Sequence, residues 1–135
     1  MSFVLDCSVT MAWCFSDQRT DATEALLERL VNDGAHAPTL WPLEVTNVLL
    51  SAARKSRITA MAAAEVAMRI SHLPVALDND GTAQIWGETW SIANRYGLTS
   101  YDASYLELAA RKRVPIATLD KALRAGAIAH GVSVI

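Results

Sequence analysis

Apolar residues recur along this chain with two alternating rhythms. Phe3, Val4 and Leu5 form a short unbroken run, the pattern of a strand buried on both faces. A helical turn or two through Val9, Met11, Trp13 and Phe15 follows, and Ser16 to Asp21 reads as a loop. Leu26, Leu27, Leu30 and Val31 then return at helical spacing until Asn32-Asp33-Gly34 stops them. Ala35-His36-Ala37 is a short strand candidate closed by Pro38. Val45, Val48, Leu49 and Ala52 mark the next helix, which gives out in charge from Arg54 to Arg57.

Thr59 suits the N-cap of a helix running to His72. Pro74 to Leu77 looks like a strand, and the turn residues from Asp78 to Gly81 end it. Ile85, Trp86, Thr89, Trp90 and Ala93 share one helical face, which at that spacing is expected to pack into the core. Tyr96-Gly97 closes that helix. A further helix runs from about Ser100 to Lys112, Val114 to Ala117 forms a strand, and another helix follows to Gly131. Val132 to Ile135 completes the series as a final strand. Short strands alternating with helices predict an α/β layer architecture around a mostly parallel central sheet. With no repeat, linker or low-complexity segment, one domain over residues 1–135 is expected.

Composition narrows the picture. The 135 residues are 52% hydrophobic and 19% charged, enough to bury one sizeable core and far from a disordered composition. A formal net charge of −2 gives no overall positive field for nucleic acid or an anionic membrane. Cys7 and Cys14 lie close together without metal-ligand company and are expected to be reduced thiols of a cytoplasmic protein. No basic-then-apolar leader and no long uninterrupted apolar run appear, so neither a secretory signal nor a membrane span is expected.

Candidate chemistry lies in where the acids fall. Asp6 and Asp120 each end a predicted strand and begin a helix, and open parallel sheets bind ligands beyond the carboxyl ends of their strands. Asp102 sits in the first turn of the helix from Ser100, and Glu44 near the start of the helix after Pro38 and Pro42. Singly, each has an ordinary explanation as a cap or a first-turn acid facing the helix dipole, and Thr99 with Asp102 has capping-box spacing. Together they would repel, each close pair costing on the order of 1–4 kcal/mol. A divalent cation relieves that repulsion, and an all-carboxylate set suits Mg²⁺ or Mn²⁺ better than zinc. His36, His72 and His130 show no metal-binding or catalytic pairing, and no Gly-rich phosphate loop or nucleophile elbow is present. Lys121 and Arg124, just after Asp120, are the cations best placed to meet a phosphate. Arg111, Lys112 and Arg113 read as a helix end complementing its dipole.

Asp6-Cys7-Ser8-Val9 with Trp13 and Phe15, Glu44 with Asn47-Val48-Leu49, Thr99 to Ala109, and Ala117 to Leu123 resemble the PIN-domain family, and within it the VapC-like toxins of toxin–antitoxin pairs. The resemblance spans essentially the whole chain. It implies a three-layer α/β/α domain with Mg²⁺- or Mn²⁺-dependent endoribonuclease activity. Asp6, Glu44, Asp102 and Asp120 match the family's acidic quartet, and Ser8 and Thr118 match hydroxyls that orient those carboxylates. It further implies an RNA substrate, a second copy of the chain, and an antitoxin that covers the cleft in a hetero-oligomer. Ala12 departs from the pattern, standing where many relatives carry a basic residue. Two other readings of the same residues remain. One is a haloacid-dehalogenase-like phosphotransferase using Asp6, although the second Asp of that motif is missing. The other is an inactive binding module that keeps only the cleft.

Overall fold

The computed structural model describes all 135 residues and places four strands in one parallel sheet. They are β1 (Phe3–Leu5), β2 (Ala35–Pro38), β3 (Val75–Asp78) and β4 (Ile116–Ala117), in spatial order β3-β2-β1-β4. Every pairing is parallel, with Val4 opposite both His36 and Ile116 and Leu5 opposite Ala117. Helices α1 (Cys7–Cys14) and α2 (Asp21–Asp33) carry the chain from β1 to β2, and α3 (Trp41–Arg54) and α4 (Ala60–Ser71) carry it on to β3. Helices α5 (Trp90–Tyr96) and α6 (Ser100–Lys112) return it past β1 to β4, and α7 (Lys121–Ala129) follows.

Because the chain steps outward one way from β1 to β3 and then comes back to the far side of β1, right-handed crossovers put α1–α4 on one face. Helices α5–α7 cover the other, and the fold is the three-layer α/β/α arrangement. Phe3, Val4, Leu5, Ala37, Ile116 and Ala117 are all fully buried between the layers, which is why these strands read as apolar runs rather than alternations. The order reverses between β1 and β4. There α1 and α7 leave toward opposite faces, the topological position at which open parallel sheets bind ligands.

Local chemistry sets most boundaries where the sequence puts them. Thr20 caps α2 through a reciprocal pair with Thr23, and Thr59 caps α4 by accepting from the Ala62 amide at 3.0 Å. Gly34 and Gly97 end α2 and α5 at positive φ, a conformation that favours glycine. Residues 16–18 form a 3₁₀ turn where a loop is expected. The final strand shrinks to a single bridge, Val134 beside Ile116. Cys7 and Cys14 are free thiols, and no helix is long and apolar enough to cross a membrane.

Two expectations need correction. The stretch after β3 is not one regular helix. It passes from a 3₁₀ turn (Gly81–Gln84) through a π turn (Ile85–Thr89) into α5. The face that packs inward carries Thr89 and Ile92, so the tryptophans that share its flank look outward, with Trp86 84% and Trp90 63% exposed. They are not core. The Arg111 group is also more than a helix end. Its guanidinium forks onto Glu107 (2.7 Å) and onto Asp78 at the end of β3 (2.6 Å), two carboxylates that are otherwise buried. A charge so paired is tolerable inside a protein, whereas either acid alone would not be. The pairing fastens the end of β3 to α6.

Candidate active site

Asp6 follows β1 directly, and the ladder continues past it through its amide, which donates to the Ala117 carbonyl. It occupies the N-cap position of α1, yet its carboxylate makes no capping hydrogen bond. Instead Oδ2 accepts from the hydroxyls of Ser8 (2.6 Å) and Thr118 (2.7 Å). Thr118 stands opposite Asp6 because the β1–β4 register continues one step beyond Leu5 and Ala117. Thr118 Oγ1 also accepts from the Asp120 amide, and Ser8 Oγ from the Leu119 amide, so the two strand-end loops are laced together. The side chain of Asp6 is aimed by other groups rather than spent on its own helix.

Asp120 is the opposite case. Its Oδ1 caps α7 by accepting from the Leu123 amide at 2.8 Å, so the capping interpretation holds for one oxygen, and Oδ2 of this exposed residue makes no hydrogen bond. At Asp102 the cap is Thr99, which accepts from the Asp102 amide at 3.1 Å, and the Asp102 carboxylate is left without a hydrogen bond. Only half of the anticipated capping box is made. Glu44, in the first turn of α3, is half-buried and accepts from the Tyr105 hydroxyl at 2.6 Å. Lys121 and Arg124 begin α7 and are both exposed.

The charges of the acids converge on Asp102. Burial, then the charges of Asp120, Asp6 and Glu44, push the Asp102 carboxyl up to about 6. Asp6 is only 4% exposed, and burial raises it despite the hydroxyls and nearby amides that pull the other way. Burial raises Glu44 too, with Asp6 adding to the shift and Tyr105 opposing it. The same field reaches Cys7, whose thiol is pushed to about 12 by burial, Glu44 and Asp6. It is therefore an inert core thiol rather than a nucleophile. No Lys or Arg forms an ion pair with any of the four carboxylates.

As the side chains stand, no three His, Cys, Asp or Glu groups close on a single ion-sized point. The carboxylates are coupled through space, with gaps between them. Such a set fits a hard divalent cation that keeps part of its water shell, since Mg²⁺ is commonly held by one or two direct carboxylates and water-bridged partners. It suits zinc less well, because zinc favours histidine and thiolate ligands and the four candidate groups are all carboxylates.

Sequence reasoning passed over Tyr105 and the Asp78–Arg111–Glu107 cluster. A signal for Tyr105 was present: a tyrosine at an inward position on α6 must find an acceptor for its hydroxyl, and an acid is the strongest one available.

A three-layer α/β/α domain whose parallel sheet has four acids, none held in an ion pair, beyond its strand ends and at the starts of the helices beside them defines the class of protein. The comparisons place the chain more narrowly. A family model described as the PIN domain matches residues 3–129, and the chain belongs to that family. Ribonuclease VapC3 of Pyrobaculum aerophilum is 26% identical over 123 residues, spanning 91% of this chain and 92% of the relative. Among solved structures, PAE2754 from P. aerophilum superposes with a TM-score of 0.69 at 24% identity, covering 93% of this chain and 84% of its own. FitAcB from Neisseria gonorrhoeae gives 0.68 at 16% identity, over 100% and 96% of the two chains. VapBC2 from Rickettsia felis, solved bound to a DNA fragment from its promoter, gives 0.66 at 12% identity, over 100% and 98%. At these identities the structural likenesses speak for the fold.

Proposed function

We propose that this chain is an endoribonuclease that hydrolyses RNA phosphodiester bonds with the help of Mg²⁺ or Mn²⁺. In this reading it is the toxin of a VapBC-like toxin–antitoxin pair, working in the cytoplasm as one domain over residues 1–135. Membership of the PIN family and the full-length likeness to a protein named Ribonuclease VapC3 support the class of activity. The observation that carries the reading to these residues is that the charges of Asp120, Asp6 and Glu44, on three other elements, all reach Asp102, with no ion pair made to any of the four.

Asp6 and Asp102 are the principal metal-holding groups, with Asp120 completing the set through the oxygen its helix leaves free. A divalent ion there supplies Lewis acidity and makes a neutral-pH hydroxide accessible. Ser8 and Thr118 fix the Asp6 carboxylate through Oδ2 and leave Oδ1 without a hydrogen bond, the orienting role such neighbours play around metal ligands. Glu44 is the outer ligand of that ion through its unbonded oxygen Oε2, and with its acidity weakened by burial it is also suited to taking the proton of an attacking water there. Lys121 and Arg124 sit beside Asp120 where a phosphate enters. Their charge is local, which lets RNA approach a chain whose net charge is negative.

For the phosphotransferase alternative, an aspartyl nucleophile wants a second acid two residues on, and Ser8 stands there. Among partners, an antitoxin segment bearing an Arg would neutralise these carboxylates and shut the cleft. A second copy of the chain is supported by the outward face of Ile85, Trp86 and Trp90, together with Ala93 and Leu98 around a shallow hollow that carries no charged residue. RNA cleavage by purified protein tests the reading. Activity is expected in Mg²⁺ or Mn²⁺, lost in chelator, and absent from Asp6→Asn despite native folding. Full activity of that variant would overturn the assignment.

A further inference from the structure

We infer that Tyr105 is a positioning residue of the acid site, holding Glu44 in register with Asp102. The inference rests on the proposed metal site and concerns how its geometry is kept. Tyr105 is fully buried, and its hydroxyl makes one hydrogen bond, donated to Glu44 Oε1 at 2.6 Å. It lies three residues after Asp102 on α6, so both side chains leave the same side of one helix. Glu44 belongs to α3, which packs on the opposite face of the sheet. The Tyr105 hydroxyl thus spans the two helical layers at the sheet's edge.

The consequence follows from the freedom of a glutamate. Glu44 has three side-chain torsions, sits in a first turn with its flank open, and has like charges for neighbours. Left alone, it would swing away from Asp6 and Asp102 toward solvent. One short bond from a rigid, buried ring removes that freedom and engages a single oxygen, so Oε2 remains for the cleft. Asp102 and the anchor of Glu44 are then set by the same turn of α6, Asp102 to Tyr105.

Mn²⁺ titration of the full chain, read by calorimetry, tests this with Tyr105→Phe, Glu44→Gln, the double variant and Asp6→Asn. Phenylalanine keeps the ring and its packing, and thermal unfolding confirms the fold of each protein. Tyr105→Phe is expected to weaken Mn²⁺ binding about tenfold, the usual scale for a group that orients a ligand. Adding it to Glu44→Gln should then cost little more, because Glu44→Gln already removes the group that Tyr105 holds. A merely structural tyrosine would lower the melting temperature and leave Mn²⁺ binding by the Tyr105→Phe single variant at the wild-type level. If Tyr105→Phe binds Mn²⁺ like the wild type while Glu44→Gln or Asp6→Asn binds weakly, the positioning role is refuted and the metal site stands. If Asp6→Asn also binds like the wild type, the site itself is refuted and the inference with it.

Discussion

At the scale of single residues, the acids differ in what their helices ask of them. Asp120 gives one oxygen to a cap, Asp6 gives none, and Asp102 has its capping duty taken over by Thr99. The sequence could rank these residues only as possible caps, because a capping Asp and a site Asp occupy the same position relative to a helix. What it could show was their common placement at strand ends and helix starts. Thr118 was legible only through the family resemblance, because its place across from Asp6 depends on a strand register that the sequence does not state. The cost of the arrangement is measurable at Asp102. Its carboxyl is raised from 3.8 to about 6, so the folded protein holds that proton more tightly than the unfolded chain. Stability from this group is therefore present below about 3.8, falls as pH climbs toward 6, and is gone above it. Discounted for partial exposure, the loss at pH 7 is about 1–2 kcal/mol. In chelator, Asp102→Asn should melt about 4–8 °C higher than wild type at pH 7, with the gain shrinking toward pH 4. An equal loss of stability at both pH values would contradict a strained cluster.

Elements were easier to place than the faces they bury. Strands β1 and β2 and helices α2, α3, α4 and α6 stand close to where periodicity puts them, because each carries a cap, a stop signal or an apolar stripe in the chain itself. The segment from Ile85 to Tyr96 shows why faces are harder. Five apolar or small residues share one side of a regular helix on paper, but a π turn and the neighbouring Thr89–Ile92 stripe compete for the inward direction, and the stripe wins. Nothing local in the sequence decides between them. The exposed indoles present on the order of 300 Å² of apolar surface, worth about 7 kcal/mol if covered and before the costs of association. A surface without charge can face its own copy without repulsion, which is what a two-fold interface requires. Replacing Trp86 and Trp90 together by Ser should convert a dimer into a monomer in a light-scattering measurement of mass, with little change in melting temperature. A wild-type chain that is already monomeric, or a double variant that remains dimeric, would sink the proposal that this face joins two copies.

For the molecule as a whole, the reversal of strand order between β1 and β4 is what makes the site. It sends α1 and α7 to opposite faces and brings Asp6 and Asp120 to the starts of the two helices. Helices α3 and α6 then deliver Glu44 and Asp102 from either layer. The alternation of strands and helices made the layers legible in the sequence. The Asp78–Arg111–Glu107 cluster was not legible, because it joins the end of β3 to α6 across 33 positions of chain and has no local signature. The central claim is that acids from four elements act as one site for a divalent ion. Calorimetric titration of Mn²⁺ into wild type, Asp6→Asn, Asp102→Asn and the remote control Asp33→Asn tests it most directly. Wild type and Asp33→Asn should bind alike, and each site variant at least about tenfold more weakly, the scale of losing one close charge partner. Identical binding by all four proteins, or none by the wild type, would contradict it.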